Sequence, residues 1–358
     1  MSLFEPIRIG VLDLPNRFVM PPMGRARADQ DRVPTALMAT YYAQRASAGL
    51  IVTEGSQVSP ASISRPGSPA IHNARQAAGW RNVTDAVHAA GGRIFQQLSH
   101  HGRRVLASRL PRGELPIAPS AIAADGFLET PAGKEAFAVP KAVTAEEIQA
   151  VVAEYRAAAI NARDAGFDGV EIHAASALLV DQFLRDGTNR RTDHYGGSID
   201  NRARFLLEII DAIGGILGAA RIGVRLSPHF GGDGIDDSDP KATFTRVAAL
   251  LGERRIAYLH LVESALTLPA QRFAPELRAA FKGPVILCGD FTRSGAEQAL
   301  ADGRADLIGF GRAFIANPDL VTRLRIDAGL NEPDMPSFYG KDARGYIDYP
   351  FLDQALAG

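Results

Sequence analysis

The sequence predicts an α/β protein folded as a single-domain (β/α)8 barrel, and three observations carry that prediction. Eight short apolar runs recur along the chain, most of them followed by a longer stretch of helical period. That alternation is what a closed parallel barrel requires. At 358 residues the chain is long enough for one large barrel. No Gly-x-Gly-x-x-Gly turn follows an early strand, which disfavours the open doubly wound sheet.

Residues 7–14, IRIGVLDL, read as a small hairpin placed to plug the N-terminal face of the barrel. The runs at 18–20, 50–53, 93–98, 169–173, 222–226, 258–262, 285–288 and 307–310 read as the barrel strands. The amphipathic segments at 36–48, 78–90, 145–165, 201–214, 240–251 and 294–301 read as helices on the outside. After the third strand, 102–141 is rich in Pro, Gly and Arg and lacks sustained periodicity, so it is expected to be an irregular, lid-like insertion. No repeat, low-complexity tract or linker interrupts the chain, and 1–358 is read as one domain.

Composition narrows the function classes. Apolar residues make up 46% of the chain, charged residues 22%, and the formal charge is −1. This balance gives no reason to expect nucleic acid or an anionic membrane as partner. Cys288 is the sole cysteine, so an intramolecular disulfide is impossible and a reducing, cytoplasmic setting fits. No secretory leader is visible at the N-terminus and no apolar run approaches the ~18 residues of a membrane span. The expected partner is a small molecule, and the expected state a monomer or homodimer.

Catalytic groups of such a barrel lie where the strands end at the C-terminal face. Those ends supply Pro22–Gly24, Glu54, Gly55, Gln97–His100, His173, Arg225, Gly289, Gly311 and Arg312. Glu171 and His173 share a strand face, but two further ligands are lacking and no metal site is expected. No nucleophile elbow or strand-ending Lys is present. Gly289, Gly311 and Arg312, after the last two strands, suit an anion held by backbone N–H groups and a guanidinium. With Arg225 and Gln97 nearby on other strands, a phosphorylated planar cofactor is the natural ligand.

The motifs PNRFVMPPM, YYAQRASAGLIVTEGSQVS, FQQLSHHGR, AGFDGVEIHAA, DHYGGSIDNRARF, RIGVRLSP and IGFGRAFIANPDL occur in order along the chain. In these the sequence resembles the Old Yellow Enzyme family of FMN-dependent ene-reductases. The resemblance implies FMN as cofactor, NADPH or NADH as hydride donor, and an activated alkene as acceptor (an enone, maleimide, nitro compound or quinone). It implies that Pro21, Pro22 and Gly55 line the flavin and that Gln97 bonds its pyrimidine edge. Arg225 would face N1 and the C2 carbonyl, while Gly289, Gly311 and Arg312 would hold the phosphate. His173 would donate to the acceptor oxygen.

The substrate shell departs from that family. Ser176 stands where a second amide or imidazole anchor is usual, and Leu178 where a tyrosine gives a proton to the substrate. Gly24 replaces the Thr or Cys that touches the flavin O4, Ser99 replaces a Trp, and Arg65 replaces an aromatic at the mouth. Tyr339 is placed at the rim by the same resemblance. The expected result is a roomier pocket with added positive charge, serving a bulkier or anionic acceptor with help from Arg65 or Ser176 and a proton from water. Two other readings stay open: a redox-neutral FMN isomerase or dehydrogenase, and a non-catalytic flavin-binding protein. The fingerprint at 193–205 and the pair His100–His101 are read as structural.

Overall fold

The computed structural model describes residues 1–63, 65–111, 113–263 and 272–355. The chain opens with the antiparallel hairpin of β1 (Ile7–Ile9) and β2 (Leu12–Leu14). Next come β3 (Phe18–Met20), α1 (Ala36–Gln44), β4 (Leu50–Val52), the short β5 (Ser56–Gln57), α2 (Ala74–Ala89) and β6 (Ile94–Ser99). The insertion carries β7 (Ile117–Ala118), β8 (Phe127–Thr130), β9 (Gly133–Ala136) and β10 (Lys141–Ala142). The second half runs α3 (Ala145–Asp164), β11 (Gly169–Ala174), α4 (Leu179–Leu184), α5 (Ile199–Leu217), β12 (Ile222–Leu226), α6 (Pro240–Glu253) and β13 (Tyr258–Val262). It continues with α7 (Ala274–Phe281), β14 (Val285–Cys288), α8 (Arg293–Ala301), β15 (Leu307–Gly309), α9 (Gly311–Ala316) and α10 (Leu320–Arg325), and a short α11 (Leu352–Ala355) follows.

Parallel pairing runs β3–β4–β6–β11–β12–β13–β14–β15 and returns from β15 to β3, closing the barrel. Side chains alternate across each strand. Val170, Ile172, Val224, Leu226, Leu259 and Leu261 pack outward against the helices. Val19, Leu50, Phe95, Tyr258, Ile286 and Leu307 point to the axis, where Ile9, Leu12 and Leu14 of the hairpin cover them. The hairpin therefore seals the N-terminal end, as its apolar alternation predicts. Its turn glycine, Gly10 (φ +52), leaves no room for a side chain: a Cβ there would sit 2.0 Å from the Ala220 carbonyl oxygen.

Helix starts follow their capping residues. Asn73 caps α2 through the Gln76 amide, so that helix begins before the expected 78. Thr144 and Glu147 form a reciprocal capping box on α3. The expectation of an irregular 102–141 is corrected: β8 and β9 form a hairpin, and β7 pairs in parallel with β10, tying the insertion's two ends together. Helices α4, α7, α9 and α10 also went unanticipated. The motif loop is braced as expected, with Arg202 donating to the Leu184 and Gly197 carbonyls and Asn201 to that of Gly196.

Candidate active site

The C-terminal face holds three adjoining cavities. A narrow one of about 200 Å3 is lined by Pro22, Gly24, Gly55, Gln97, His173 and Arg225, among others. A second, of about 530 Å3, extends from Gly24 along Gly289, Gly311 and Arg312. The third, of about 450 Å3, is the mouth, lined by Arg65, His101, Arg104, Arg109, Ser176 and Leu178 with Leu128 and Glu129 of β8. Gly24 and Tyr339 border the first two, while Arg65, His101, His173 and Leu178 border the first and third.

The barrel register sets the floor. Gln97 of β6 lies opposite Glu171 of β11, and His173 opposite Arg225 of β12, itself opposite His260 of β13. Gln97 Nε2 donates to Glu171 Oε1 at 2.8 Å. The other carboxylate oxygen accepts from Tyr258 Oη at 3.0 Å and meets His260 Nδ1 at 2.8 Å. Burial opposes the charge on Glu171, but His260, then Arg225 and the Gln97 amide, outweigh it and hold its pKa below the ordinary carboxylate value. Arg225 makes a long contact to the Pro22 carbonyl at 3.4 Å, and its Nε is buried without a partner.

His173 is a neutral imidazole. Burial, reinforced by the nearby Arg225, pushes its pKa down to about 3, and its Nδ1 has no partner. His101 is similar: burial, with His100 and Arg104 beside it, lowers its pKa to about 3. His101, read from the sequence as structural, also borders both the narrow cavity and the mouth. Strand parity does not reach it, because β6 ends at Ser99 and His101 has helical backbone.

The segment after β11 is strained. Ser176 and Ala177 both take left-handed backbone (φ 56° and 60°), costing about 1–2 kcal/mol each for residues other than glycine. The surroundings hold them there. Ser176 N donates to Ser227 Oγ at 2.8 Å, and Ala177 N to Asp181 Oδ2 at 3.0 Å. Arg185, buried with Asp181, bonds that carboxylate at 2.9 Å and the Ser227 carbonyl at 2.7 Å. The clamp sets Ser176 at the mouth and Leu178 where mouth and narrow cavity meet.

At the rim, the Arg65 guanidinium stacks over the Tyr339 ring at 4.0 Å, bringing two expected mouth residues together. A Cβ on Gly24 would find only Tyr339, at 4.0 Å, so this residue leaves the cavity wall open. A Cβ on Gly311 would likewise meet only Met23 and Pro21, at 3.6 and 4.0 Å. Arg312 is ion-paired with Asp290 and exposed. Pro21 sits behind Gly311, and Ser99 Oγ donates to the Ser56 carbonyl at 3.2 Å beside Gly55. Among the described residues no cluster of His, Cys, Asp or Glu is arranged to hold a metal ion.

Comparison with known proteins agrees with this geometry. Residues 2–331 match the model of the NADH:flavin oxidoreductase / NADH oxidase family. A probable flavin mononucleotide-dependent alkene reductase of Leishmania infantum is 41% identical over 98% of this chain and 97% of its own. The 12-oxophytodienoate reductase 7 of Oryza sativa subsp. japonica is 42% identical, over 98% of this chain and 95% of its own. The structure of morphinone reductase in complex with tetrahydroNAD superposes with a TM-score of 0.94 at 46% identity, covering 99% of both chains.

Proposed function

The chain belongs to the NADH:flavin oxidoreductase / NADH oxidase family, and from that premise we propose that it is an FMN-dependent reductase of activated alkenes with NADH or NADPH as hydride donor. One observation carries the reading. The narrow cavity, floored by Gln97, Arg225 and His173, opens on one side to a glycine-lined channel and on the other to a cationic mouth. The residues present fit FMN: Gln97 and Arg225, whose Nε is buried without a partner, line the narrow cavity and would hold a planar ring, and Gly289, Gly311 and Arg312 border space for its phosphate. An anion there would share Arg312 with Asp290.

When bound, FMN would supply a two-electron carrier between the nicotinamide and the alkene. Arg225, on the floor of the narrow cavity, would place a fixed positive charge beside the reduced ring, with no reorganisation needed. His173, neutral at working pH, donates an N–H to the acceptor oxygen and draws electron density from the alkene. Ser176 is a short second anchor, and His101 adds a neutral imidazole in the same space. Leu178 holds no proton, so water entering through the mouth protonates the α-carbon. Arg65 lies at that mouth beside Arg104, which is ion-paired with Asp233, and Arg109, which Glu135 faces, so three guanidiniums border a space suited to an anionic or bulky acceptor.

Stopped-flow bleaching of the flavin by NADH and by NADPH, followed by reoxidation with cyclohexenone, a maleimide and a nitro compound, tests the reading. Bleaching followed by fast reoxidation supports it, and a flavin that neither nicotinamide bleaches overturns it. Leu178 also favours a second reading, a redox-neutral isomerase in which hydride returns before protonation. That activity would turn over without continued NAD(P)H consumption.

A further inference from the structure

We propose that Glu171 is a positioning residue for the flavin: it fixes which way the Gln97 amide faces and so makes the cavity floor an acceptor for a ring N–H. The inference rests on FMN being the cofactor, and is independent of the acceptor and of the proton source.

A carboxylate only accepts hydrogen bonds, so the end of the Gln97 amide facing Glu171 Oε1 at 2.8 Å has to be the NH2 group. The carbonyl oxygen is thereby turned the other way. A Cβ on Gly55 would sit 3.1 Å from Gln97 Oε1, and both residues line the narrow cavity. Glu171 cannot swing aside, because its second oxygen is held by Tyr258 Oη and His260 Nδ1. Tyr258 belongs to β13 and reaches Glu171 across the intervening β12 only because residue 223 is glycine: a Cβ there would lie 2.2 Å from the tyrosine ring. Four residues of the barrel interior thus fix one amide.

Protonated Glu171 could donate to Gln97 and let the amide reverse. His260 and Arg225 oppose that by favouring the carboxylate in spite of its burial. The floor therefore selects a donor. The N3–H of the flavin pyrimidine edge is such a donor, and the second amide hydrogen of Gln97 remains for the neighbouring C2 carbonyl. A reversed amide would set N–H against N–H.

The test is a double-mutant cycle on FMN affinity, read by fluorescence titration of flavin-stripped protein. Glu171→Met should weaken FMN binding about tenfold, the worth of one well-placed hydrogen bond. Glu171→Gln, which keeps a carbonyl for Gln97, should stay within about threefold of the parent. In a Gln97→Ala background, Glu171→Met should add nothing, because the amide through which it acts is gone. An equal loss in both backgrounds, or no loss in either, overturns the proposal. Should Glu171→Met fail to fold, the parent protein and Glu171→Gln loaded with 15N3-labelled FMN still decide. The N3–H resonance should lie downfield of free FMN in both and move back toward it in Gln97→Ala. A resonance at the free-flavin position in the parent refutes the amide polarity. Failure of the parent to bind FMN at all would instead sink the cofactor assignment.

Discussion

A leucine has no proton to give, and Leu178 stands on the wall that joins the narrow cavity to the mouth. Positioned acids contribute roughly 10²–10⁴-fold where a proton must arrive in the transition state. Leu178→Tyr should therefore raise the rate of flavin reoxidation by cyclohexenone at least about tenfold. Reoxidation by a nitro compound, which does not need that proton at carbon, should change far less. Equal gains with both acceptors would show that the tyrosine alters packing rather than proton supply. Ser176 and Leu178 were legible because they fall in a motif whose spacing is fixed by a strand end. Glu171 was not, beyond its parity with His173. Its partners Tyr258 and His260 lie 87 and 89 residues away, and only closure of the barrel brings them together. The place of His101 at the cavity is not legible in the sequence, because it lies past the end of β6, where strand alternation no longer applies.

The turn between β11 and α4 is held by an element-scale clamp rather than by its own preferences. Two consecutive left-handed residues persist there because Asp181, Arg185 and Ser227 bind their amides and one another. Removing one partner of a buried pair leaves the other charge uncompensated, typically at a cost of about 3–5 kcal/mol. Asp181→Ala should lower unfolding stability by about that amount in urea titrations. It should also raise the KM for the acceptor, because Ser176 and Leu178 lose their fixed position. A stability loss with unchanged KM would show that the clamp serves the fold alone. The eight barrel strands were legible from their apolar runs, since strands buried on both faces need no alternation. Helix α4 was not, because all six of its residues are buried and it carries no amphipathic period. The β8–β9 hairpin was missed for the opposite reason: its residues are exposed or half-buried and show no apolar face.

Across the whole molecule, neutral histidines shape the response to acid, with His100 buried and His101 and His173 half-buried along the cavities. Burial pushes His100, and burial with nearby positive groups pushes His101 and His173, to pKa values of about 3. The unfolded chain takes up those protons near pH 6.5 and the folded one does not, so the unfolded state binds more protons between these values. Stability is therefore full above about pH 6.5 and is lost as pH falls toward 3. The loss is about 1.4 kcal/mol per pH unit for each histidine, or about 4 for the three together. His260, whose pKa the Glu171 carboxylate raises in spite of burial, is charged in both states below 6.5 and adds nothing to this slope. Burial, with Arg32 nearby, lowers the pKa of His72 as well, which adds to the same slope. Urea midpoints at pH 6.5, 6.0 and 5.5 should fall accordingly, and His100→Gln should flatten the slope by about one quarter to one third. An unchanged slope in that variant would remove His100 from the account.

The hairpin at the chain's start has a consequence for kinetics. Because Ile9, Leu12 and Leu14 cork one end of the barrel, a molecule reaching the floor beneath His173 comes through the opposite end, past Arg65 and Leu178. With FMN held along the glycine-lined channel, donor and acceptor would be rivals for the mouth that is left and would have to take turns. Initial rates should give parallel double-reciprocal lines, and excess acceptor should inhibit competitively against NADH; lines that intersect would mean that both fit inside at once.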